Sequence, residues 1–456
     1  MIDAAPVAMF LTTFIALIAG YPVALTLAGV ALIFALIGTV FGIFNPSDLG
    51  FAAGRLFGLV TNQTLIAIPL FVFMGVTLEK TKIAESLLSD LSSLFGRSRS
   101  GLAATVILVG ALMAASTGIV GATVVTMSLM ALPVMLKAGY DARLATGTIS
   151  ATGTLGQIIP PSIALVLLGD VLSNAYQQAQ LNQGIFAPKS VSVGDLFAGA
   201  IVPGLCLVIL YLLYVYTNIL LSKNKIDSQR ASDQKFNVFS LFASLAPPLL
   251  LIFAVLGSII LGYATPTEAA GIGAAGAILI GIATKRLEFS TIKAISESTL
   301  STTGMVFFIL IGASIFSLVF RGFGGDEQIQ GFFDAMPGGV TTALVVVMVV
   351  IFLLGFILDF IEITFVVVPI VGPVLLAMGV DPIWLGVVIA INLQTSFLTP
   401  PFGFALFYLR GVAPSSIETK DIYLGALPFV GLQILILILL FIYPSIATWL
   451  PARLYG

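Results

Sequence analysis

The residues that stand out chemically form one pattern, which occurs twice and is offset by 240 residues from Pro160 to Pro400. Each copy has a Gly-x-Asp sequence followed by a Pro-Pro pair inside an apolar segment. The first copy comprises Gly139, Asp141, Pro160 and Pro161, and the second comprises Gly379, Asp381, Pro400 and Pro401. Duplicated halves with matching interruptions in hydrophobic segments are typical of the binding sites of secondary transporters.

Each proline pair leaves two backbone carbonyls without a helical hydrogen bond, because proline has no amide hydrogen. The first pair affects the carbonyls of Gly156 and Gln157, and the second pair affects those of Ser396 and Phe397. Inside a membrane, such carbonyls are costly unless they line a cavity or meet a cation. The surroundings offer hydroxyl and carbonyl oxygens with little fixed charge, so we predict sodium as the bound ion.

Polar side chains flank both breaks in the middle of otherwise apolar segments, where such groups normally face a bundle interior or a transport path. For a single break, a proline kink satisfied by neighbouring helices and by Ser or Thr side chains is an equally good explanation. Two breaks in register favour a functional site. The candidate substrate-binding residues are Thr117, Thr154, Gln157, Asn392, Gln394 and Thr395.

Two further stretches, 101–136 and 336–377, are interrupted near their middles, and we interpret each as a re-entrant helical hairpin. The alternative is that they are full spans, since two extra crossings leave the parity of the chain unchanged. A tip that reverses inside the membrane presents helix N-termini to an anion and C-terminal carbonyls to a cation. In the second tip, Asp359 and Glu362 are three residues apart and share a helix face. They are candidates for holding a cation or titrating protons, although a position in an aqueous cleft explains Glu362 equally well.

Two other charged residues have structural explanations. Glu268 follows Pro266 in the first turn of a predicted helix, where an acid is stabilised by the helix dipole, so we expect it to act as an N-terminal cap. Arg410 follows the second break, and we expect it to be a cytoplasmic anchor and not a ligand for a carboxylate.

The composition is that of a membrane protein in contact with the lipid bilayer. Of 456 residues, 59% are hydrophobic and 9% are charged, against about 25% charged in soluble domains. A net charge of -2 with no basic stripe argues against nucleic acid as a partner. The chain has no His and only Cys206, so the usual ligands of a metal cluster and the usual catalytic groups of an intramembrane enzyme are missing, and we expect no enzyme activity.

Largely charge-free stretches predict ten membrane-spanning helices of about 20 residues each. They are 4–20, 22–42, 57–78, 144–169, 196–221, 238–261, 266–283, 299–320, 382–409 and 422–449. Because five crossings then fall in each half, the second half must be inverted relative to the first. The predicted fold is an all-α polytopic membrane protein of two inverted-topology repeats, 1–222 and 238–456, joined by a charged cytoplasmic linker, 223–237. Each repeat contains one hairpin and one Pro-Pro-broken helix, 144–169 or 382–409.

The basic residues orient this topology. Arg55, Lys189, Arg321 and Arg453 fall on one side, which leaves 15 of the 19 basic residues on the other. The positive-inside rule assigns the larger set to the cytoplasm and therefore both termini to the periplasm. The outer loops 44–56, 171–195 and 321–336 are then accessible to a docking partner.

At these motifs the chain resembles the large membrane subunit of the tripartite ATP-independent periplasmic (TRAP) transporters. The matching stretches are 139–141, 153–156, 159–162, 264–270 and 398–403, and the likeness covers nearly the whole chain. The resemblance implies a sodium-coupled importer of organic acids in the bacterial inner membrane, working by an elevator movement. It also implies two partners, a small four-helix membrane subunit and a periplasmic substrate-binding protein.

Carried over by position, the resemblance implies two sodium sites, one for each broken helix. The first site would comprise Ser116, Gly118, Gly156, Ile159 and Pro161, and the second would comprise Gly355, Asp359, Ser396, Thr399 and Phe402.

The second tip departs from many members of the family, which have small and hydroxyl residues after the Asp. It is similar to the mannitol/chloroaromatic and 2-oxo acid branch, which favours a monocarboxylate such as a 2-oxo acid. The alternative is a proton-coupled or stand-alone carboxylate transporter of the same architecture, with Asp359 and Glu362 as the proton carriers.

Overall fold

The computed structural model of the protein describes residues 4–95, 100–118, 120–221 and 238–455, and the regular structure in these ranges is entirely helical. The helices of the first half are α1 Ala5–Ile18, α2 Val23–Val40, α3 Phe51–Thr61, α4 Ala67–Lys80, α5 Ile83–Phe95, α6 Gly101–Thr117, α7 Val120–Lys137, α8 Ala142–Thr154, α9 Ile163–Asn182 and α10 Val193–Leu221. Those of the second half are α11 Val238–Ile260, α12 Pro266–Ala283, α13 Phe289–Gly322, α14 Gly325–Asp334, α15 Gly339–Leu354, α16 Phe360–Val366, α17 Val368–Ala377, α18 Pro382–Leu398, α19 Phe404–Val412, α20 Thr419–Ile442 and α21 Ser445–Tyr455. The all-α prediction is confirmed.

Seven helices in the described part of the chain are long and apolar enough to cross a membrane, so the protein is a multi-pass membrane protein. They are α2, α7, α10, α11, α12, α13 and α20. The pair α16 and α17, bent by 56° at their junction, forms an eighth candidate as a broken span. Six of the seven match predicted spans, and the seventh, α7, lies in the predicted hairpin 101–136. The other four predicted spans are not among them, because α1 has 14 residues, α18 has 17, and the predicted spans 57–78 and 144–169 are each divided.

The predicted span 57–78 is wrong, because the chain leaves the helical path in its middle. Helix α3 ends at Thr61 and α4 begins at Ala67. Between them, the side chain of Asn62 accepts a hydrogen bond from the amide of Thr64 at 2.9 Å. Such a local bond from a side chain to the backbone competes with the helix ladder, and hydropathy alone does not register it.

The predicted outer loop 171–195 is also wrong in its first part, since α9 continues without a break to Asn182. The amide side chain of Gln180, near the end of α9, forms hydrogen bonds with both backbone groups of Lys189. It accepts from the Lys189 amide at 3.0 Å and donates to the Lys189 carbonyl at 2.8 Å. The predicted span 422–449 likewise ends early, at Ile442, because Pro444 separates it from α21. Helix α5 was not predicted, because its charged residues exclude it from the apolar stretches that indicate membrane spans.

Residue contacts divide the chain into two compact units. The first consists of Met1–Ile66, Leu167–Ser192 and Ser301–Leu385, and the second consists of Ala67–Val166, Val193–Leu300 and Gly386–Gly456. Each unit takes segments from both halves of the sequence. The repeat boundaries at 1–222 and 238–456 stay a prediction, and the predicted linker 223–237 lies outside the described residues.

Small residues allow close helix packing inside each unit, as is common among membrane helices. In the first unit, Gly312 of α13 lies against the backbone of Ala24 in α2. In the second unit, Gly147 of α8 lies against the carbonyl of Gly425 in α20, so these two backbones are nearly in contact. This crossing fixes α8, the helix that leads into the first proline pair.

The repeated motifs have the same local geometry. Gly139 and Gly379 have φ of +86° and +91°, values that a residue with a side chain adopts only with strain. The aspartates that follow cap the next helices: the Asp141 carboxylate accepts from the amide of Arg143 at 3.2 Å, and that of Asp381 accepts from the amide of Trp384 at 2.8 Å. Both Pro-Pro peptide bonds are cis. The duplication therefore extends from sequence to backbone conformation.

Candidate functional site

The first break follows α8 directly. The helix ends at Thr154, one 3-10 turn covers Leu155–Gln157, and α9 starts at Ile163. The carbonyl of Gly156 is not left unpaired, because Ser162 Oγ lies 2.7 Å from it and 3.3 Å from the Gln157 carbonyl. Ser162 is thus a residue whose role the sequence analysis missed. A carbonyl oxygen has two lone pairs, so each of these oxygens keeps capacity for a further ligand.

The tip of the first helical pair, α6 and α7, lies against this break. Helix α6 ends at Thr117, and Gly118 follows with φ of +62°. A methyl group placed on Gly118 would meet the backbone nitrogen of Ile163 at 3.1 Å, and one placed on Gly156 would meet the carbonyl oxygen of Ala114 at 3.2 Å. The tip at Ala114 and Gly118 therefore packs closely against the backbone of the break at Gly156 and Ile163, and a methyl group at either glycine would crowd backbone atoms.

The other residues predicted for the first sodium site lie around the same break. Pro161 is buried and Ile159 is partly buried, with its amide donating to the Leu155 carbonyl at 2.9 Å. Ser116 belongs to the last turn of α6, and Thr117 ends it. The side chains of Ser116 and Thr117 lie outside the part of the structure that is described.

The second break follows α18, and its hydroxyl groups bond within the chain. Thr395 Oγ1 donates to the Ile391 carbonyl and Thr399 Oγ1 donates to the Thr395 carbonyl, both at 2.7 Å. The Ser396 carbonyl, which Pro400 removes from the helix ladder, accepts instead from the Thr399 amide at 3.0 Å. Ser396 is fully buried, whereas the Phe402 side chain is 54% exposed. Any contribution of Phe402 to an ion site would therefore come from its backbone.

Gly355 and Asp359 belong to the first compact unit, whereas Ser396, Thr399 and Phe402 belong to the second. Gly355 follows the last residue of α15, and its amide still bonds to the Ile351 carbonyl at 2.9 Å.

Asp359 and Glu362 form a reciprocal cap at the start of α16. The Asp359 carboxylate accepts from the amide of Phe360 at 2.7 Å, and the Glu362 carboxylate accepts from the amide of Asp359 at 3.0 Å. Glu362 is only 7% exposed. Both acids thus have a structural role in ending the tip and starting the helix. A carboxylate also has further lone pairs with which it can bind a cation.

The candidate substrate-binding residues Gln157, Asn392 and Gln394 are buried, as are Thr154 and Thr395. The side-chain oxygen of Gln157 has no hydrogen-bond partner among the described residues. A buried amide oxygen without a partner is rare and is a place where an unseen ligand can bind.

A buried polar group that the sequence analysis did not single out adjoins Thr154. Gln433 of α20 donates to the hydroxyl of Tyr211 at 2.7 Å and approaches Thr154 Oγ1 at 3.4 Å. Gln433 and Tyr211 are both fully buried. Gln433 could have been found, since it interrupts the apolar run of α20. Nothing in the sequence around Tyr211 marks it.

Glu268 and Arg410 bond to their own parts of the chain. Glu268 forms a capping box with Thr265 at the start of α12, so the predicted cap is confirmed. Arg410 Nη1 donates to the carbonyl of Ile417 at 2.6 Å, a bond that fixes the turn after α19.

The arrangement at the breaks is suited to binding and not to covalent chemistry. Carbonyl, hydroxyl and amide oxygens meet at the first break and tip. The same groups occur around the second break. Such oxygens can hold a cation, and buried amides can orient a polar solute.

A family model described as the tripartite ATP-independent periplasmic transporter, DctM component, matches residues 10–446. The chain is 29% identical over 466 residues to the C4-dicarboxylate TRAP transporter large permease protein DctM of Vibrio cholerae serotype O1, covering 96% of both chains. It is 27% identical to the sialic acid TRAP transporter large permease protein SiaM of the same organism, covering 96% of this chain and 97% of that one. It is also 26% identical to the ectoine TRAP transporter large permease protein TeaC of Halomonas elongata, covering 85% and 86%.

Two solved structures share the fold at low sequence identity. The YdaH transporter of Alcanivorax borkumensis superposes with a TM-score of 0.63 at 15% identity, covering 89% of this chain and 90% of that one. MtrF of Neisseria gonorrhoeae superposes with a TM-score of 0.59 at 14% identity, covering 87% and 83%.

Proposed function

The chain belongs to the DctM component family of the tripartite ATP-independent periplasmic transporters, and from that premise we propose that it is the large permease subunit of a sodium-coupled importer of organic acids. Its relatives are transporter subunits and not enzymes. The observation that supports the proposal is the close packing of the tip, at Ala114 and Gly118, against the first break, at Gly156 and Ile163, which brings the backbone carbonyl of Ala114 next to Gly156.

One sodium ion is assigned to each break. The first ion would be held by Ser116, Gly118, Gly156, Ile159 and Pro161, and the second by Gly355, Asp359, Ser396, Thr399 and Phe402. The energetics support coupling, because one sodium ion entering at ~100 mV contributes about 2.3 kcal/mol. A tenfold concentration gradient adds about 1.4 kcal/mol. Two such ions can drive the uptake of one monoanion.

The substrate is proposed to be a carboxylate, bound among Thr117, Thr154, Gln157, Asn392, Gln394 and Thr395. The relatives named above are permeases for C4-dicarboxylates, sialic acid and ectoine, so the family handles several small organic solutes. For this chain we favour a monocarboxylate, such as a 2-oxo acid, because of the second tip. The permease would work in the bacterial inner membrane with both termini in the periplasm. Its partners would be a small four-helix membrane subunit and a periplasmic substrate-binding protein, and transport would proceed by an elevator movement.

Proton coupling through Asp359 and Glu362 is the second candidate. A buried acid, Glu362, three residues from an exposed one, Asp359, favours it. Against it, both carboxyl groups accept backbone hydrogen bonds at the start of α16, so each acid already has a role in capping this helix.

The test needs no substrate. The unfolding midpoint of the purified permease is measured in sodium, potassium and choline chloride at equal ionic strength. A ligand at about 100 times its dissociation constant stabilises by about 2.7 kcal/mol. We expect a sodium-selective rise in the midpoint that is lost in Gly156→Ala, because the added methyl would lie 3.2 Å from the Ala114 carbonyl oxygen.

Gly204→Ala is the matched control, since its methyl would meet Ile159 near the same break at an ordinary 3.5 Å. This variant should keep the sodium response. If sodium leaves the wild-type midpoint unchanged while pH moves it through a step that Asp359→Asn removes, proton coupling replaces sodium coupling.

A further inference from the structure

The first compact unit contains a cavity of about 550 Å³ whose polar residues have no role in the sites described above. This volume is within the range of about 300–1,000 Å³ for small-molecule sites. Its polar lining includes Arg55, Asn62, Asp170, Asn174, Gln178 and Arg321. Apolar walls come in part from Phe365, Pro369 and Pro373.

Most of the charge in this cavity is already paired. Arg321 lies 3.2 Å from the Asp326 carboxylate and donates to the Gln178 side chain at 3.0 Å. Asp170 accepts from the Asn62 side chain at 3.0 Å. These contacts hold Arg321 and Asp170 in defined positions on the cavity wall.

Arg55 differs from Arg321, because it forms no ion pair within 4.0 Å among the residues that the structure describes. Burial and then the positive charge of Arg321 lower the pKa of Arg55, while Asp326 opposes the shift. An arginine nevertheless remains protonated at neutral pH. The cavity therefore presents a half-buried guanidinium with five donors and no carboxylate within 4.0 Å among the described residues, although Asp326 acts on it from farther away.

We infer that this cavity binds the carboxylate of a small organic monoanion at Arg55. A guanidinium offers two parallel N–H groups that match the two oxygens of a carboxylate. Asn174 and Gln178 provide hydrogen-bonding groups for the rest of the solute. The inference rests on the proposed function for the choice of organic acids, and it adds a binding site outside the broken helices.

Asp170 sets the selectivity of this site. Its carboxylate lines the same cavity, so the second negative charge of a dicarboxylate would face a like charge there, and like charges repel most strongly where water is partly excluded. The cavity should therefore prefer a monocarboxylate to a C4-dicarboxylate.

Both arginines fall on the predicted periplasmic side of the topology. A solute entering from that side would meet Arg55 before it reaches the membrane interior. Positive charge in a cleft also raises the local concentration of an anion and its rate of association. The cavity is thus suited to receive the substrate.

Saturation-transfer NMR of lactate, observed at its methyl group, tests the inference with the full-length permease in detergent. The buffer contains choline and no sodium. We expect transfer to lactate in the wild type, a fall of about tenfold in affinity for Arg55→Gln and a smaller fall for Arg55→Lys, which keeps the charge but loses the bidentate geometry. Arg453→Gln is the matched control, because Arg453 is an exposed arginine on the same predicted side and does not line the cavity. It should bind lactate as the wild type does.

Competition between lactate and other anions tests the selectivity of the site. Succinate should displace lactate weakly from the wild type and at least fivefold better from Asp170→Asn, which removes the opposing charge at nearly constant size. Inorganic phosphate, standing for a lipid headgroup, should compete less well than pyruvate. The inference is overturned if Arg55→Gln binds lactate normally, if succinate binds the wild type as well as lactate does, or if phosphate is the better competitor.

Lactate binding at Arg55 and sodium coupling can be tested separately. Sodium-driven uptake into proteoliposomes tests the coupling, whereas the lactate measurement contains no sodium. Lactate binding at Arg55 without sodium-driven uptake would remove sodium coupling and keep the cavity site. Sodium-driven uptake with unchanged lactate binding in Arg55→Gln would keep sodium coupling and remove the cavity site.

Discussion

Ser162 Oγ lies 2.7 Å from the carbonyl oxygen of Gly156, the oxygen that Pro160 deprives of its helical partner. Ser162, the residue directly after the proline pair, thus replaces one of the backbone hydrogen bonds that the pair removes. The serine side chain occupies one lone pair of the carbonyl and leaves the other. The Gly156 carbonyl therefore has a hydrogen-bond donor and can still bind an ion through its second lone pair.

Ser162→Ala should lower the free energy of unfolding by about 1–3 kcal/mol, because it leaves buried carbonyls without a donor. The measurement is thermal unfolding of the purified protein in choline chloride. Ser150→Ala is the control, since the Ser150 hydroxyl is buried in α8 and makes no hydrogen bond among the described residues. Equal destabilisation by both changes would show that the Ser162 bond has no special weight.

Gly147→Ala should destabilise the second unit strongly, because the new methyl would overlap the backbone carbonyl of Gly425. Overpacking a core costs about 1–3 kcal/mol, and a backbone obstacle relaxes less readily than a side chain. The yield of folded permease and its unfolding midpoint report the effect. Gly431→Ala places a methyl on α20 where nothing lies within 4 Å, so this variant should behave as the wild type does. A well-folded Gly147→Ala variant would contradict the close crossing of α8 and α20.

Gln433 and Tyr211 should be energetically coupled, since they share a 2.7 Å hydrogen bond in a fully buried position. Gln433→Leu leaves the Tyr211 hydroxyl without its donor, and we expect a loss of about 1–3 kcal/mol. Tyr211→Phe in the same chain should recover part of that loss. A double-mutant cycle measured by chemical unfolding gives the coupling, expected at about 1 kcal/mol. A coupling of zero would mean that the two side chains contribute independently.

Asp359 has two proposed roles that one pair of variants can separate. Asp359→Asn keeps an N-cap acceptor for α16, whereas Asp359→Ala removes it and should cost about 0.5–2 kcal/mol of stability. If the charge also binds sodium, both variants should lose part of the sodium-dependent rise in the unfolding midpoint. A full sodium response in Asp359→Asn would limit Asp359 to capping.

The sequence was sufficient to predict that the protein lies in a membrane, that its fold is all-α, and where the two helix breaks fall. Composition alone requires a membrane protein. Each Pro-Pro pair that follows a Gly-x-Asp sequence does interrupt its helix, whereas Pro247 and Pro248 lie inside α11 without breaking it. The cap at Glu268 was predicted in the same way. Those at Asp141 and Asp381 were not predicted, although they too depend on residues only two or three positions away. Boundaries that depend on a single local bond, such as the end of α3 before Asn62, were harder to predict from hydropathy.

Only the tertiary structure decided which distant groups meet. The partner of Tyr211 is Gln433, more than two hundred residues away, and Arg55 shares a cavity with residues of α9 and α13. Nothing in the local sequence carries that information, because burial and pairing depend on how helices from both halves pack. The sequence therefore located the two breaks, and the packing determined which side chains surround them and which residues line the cavity with Arg55.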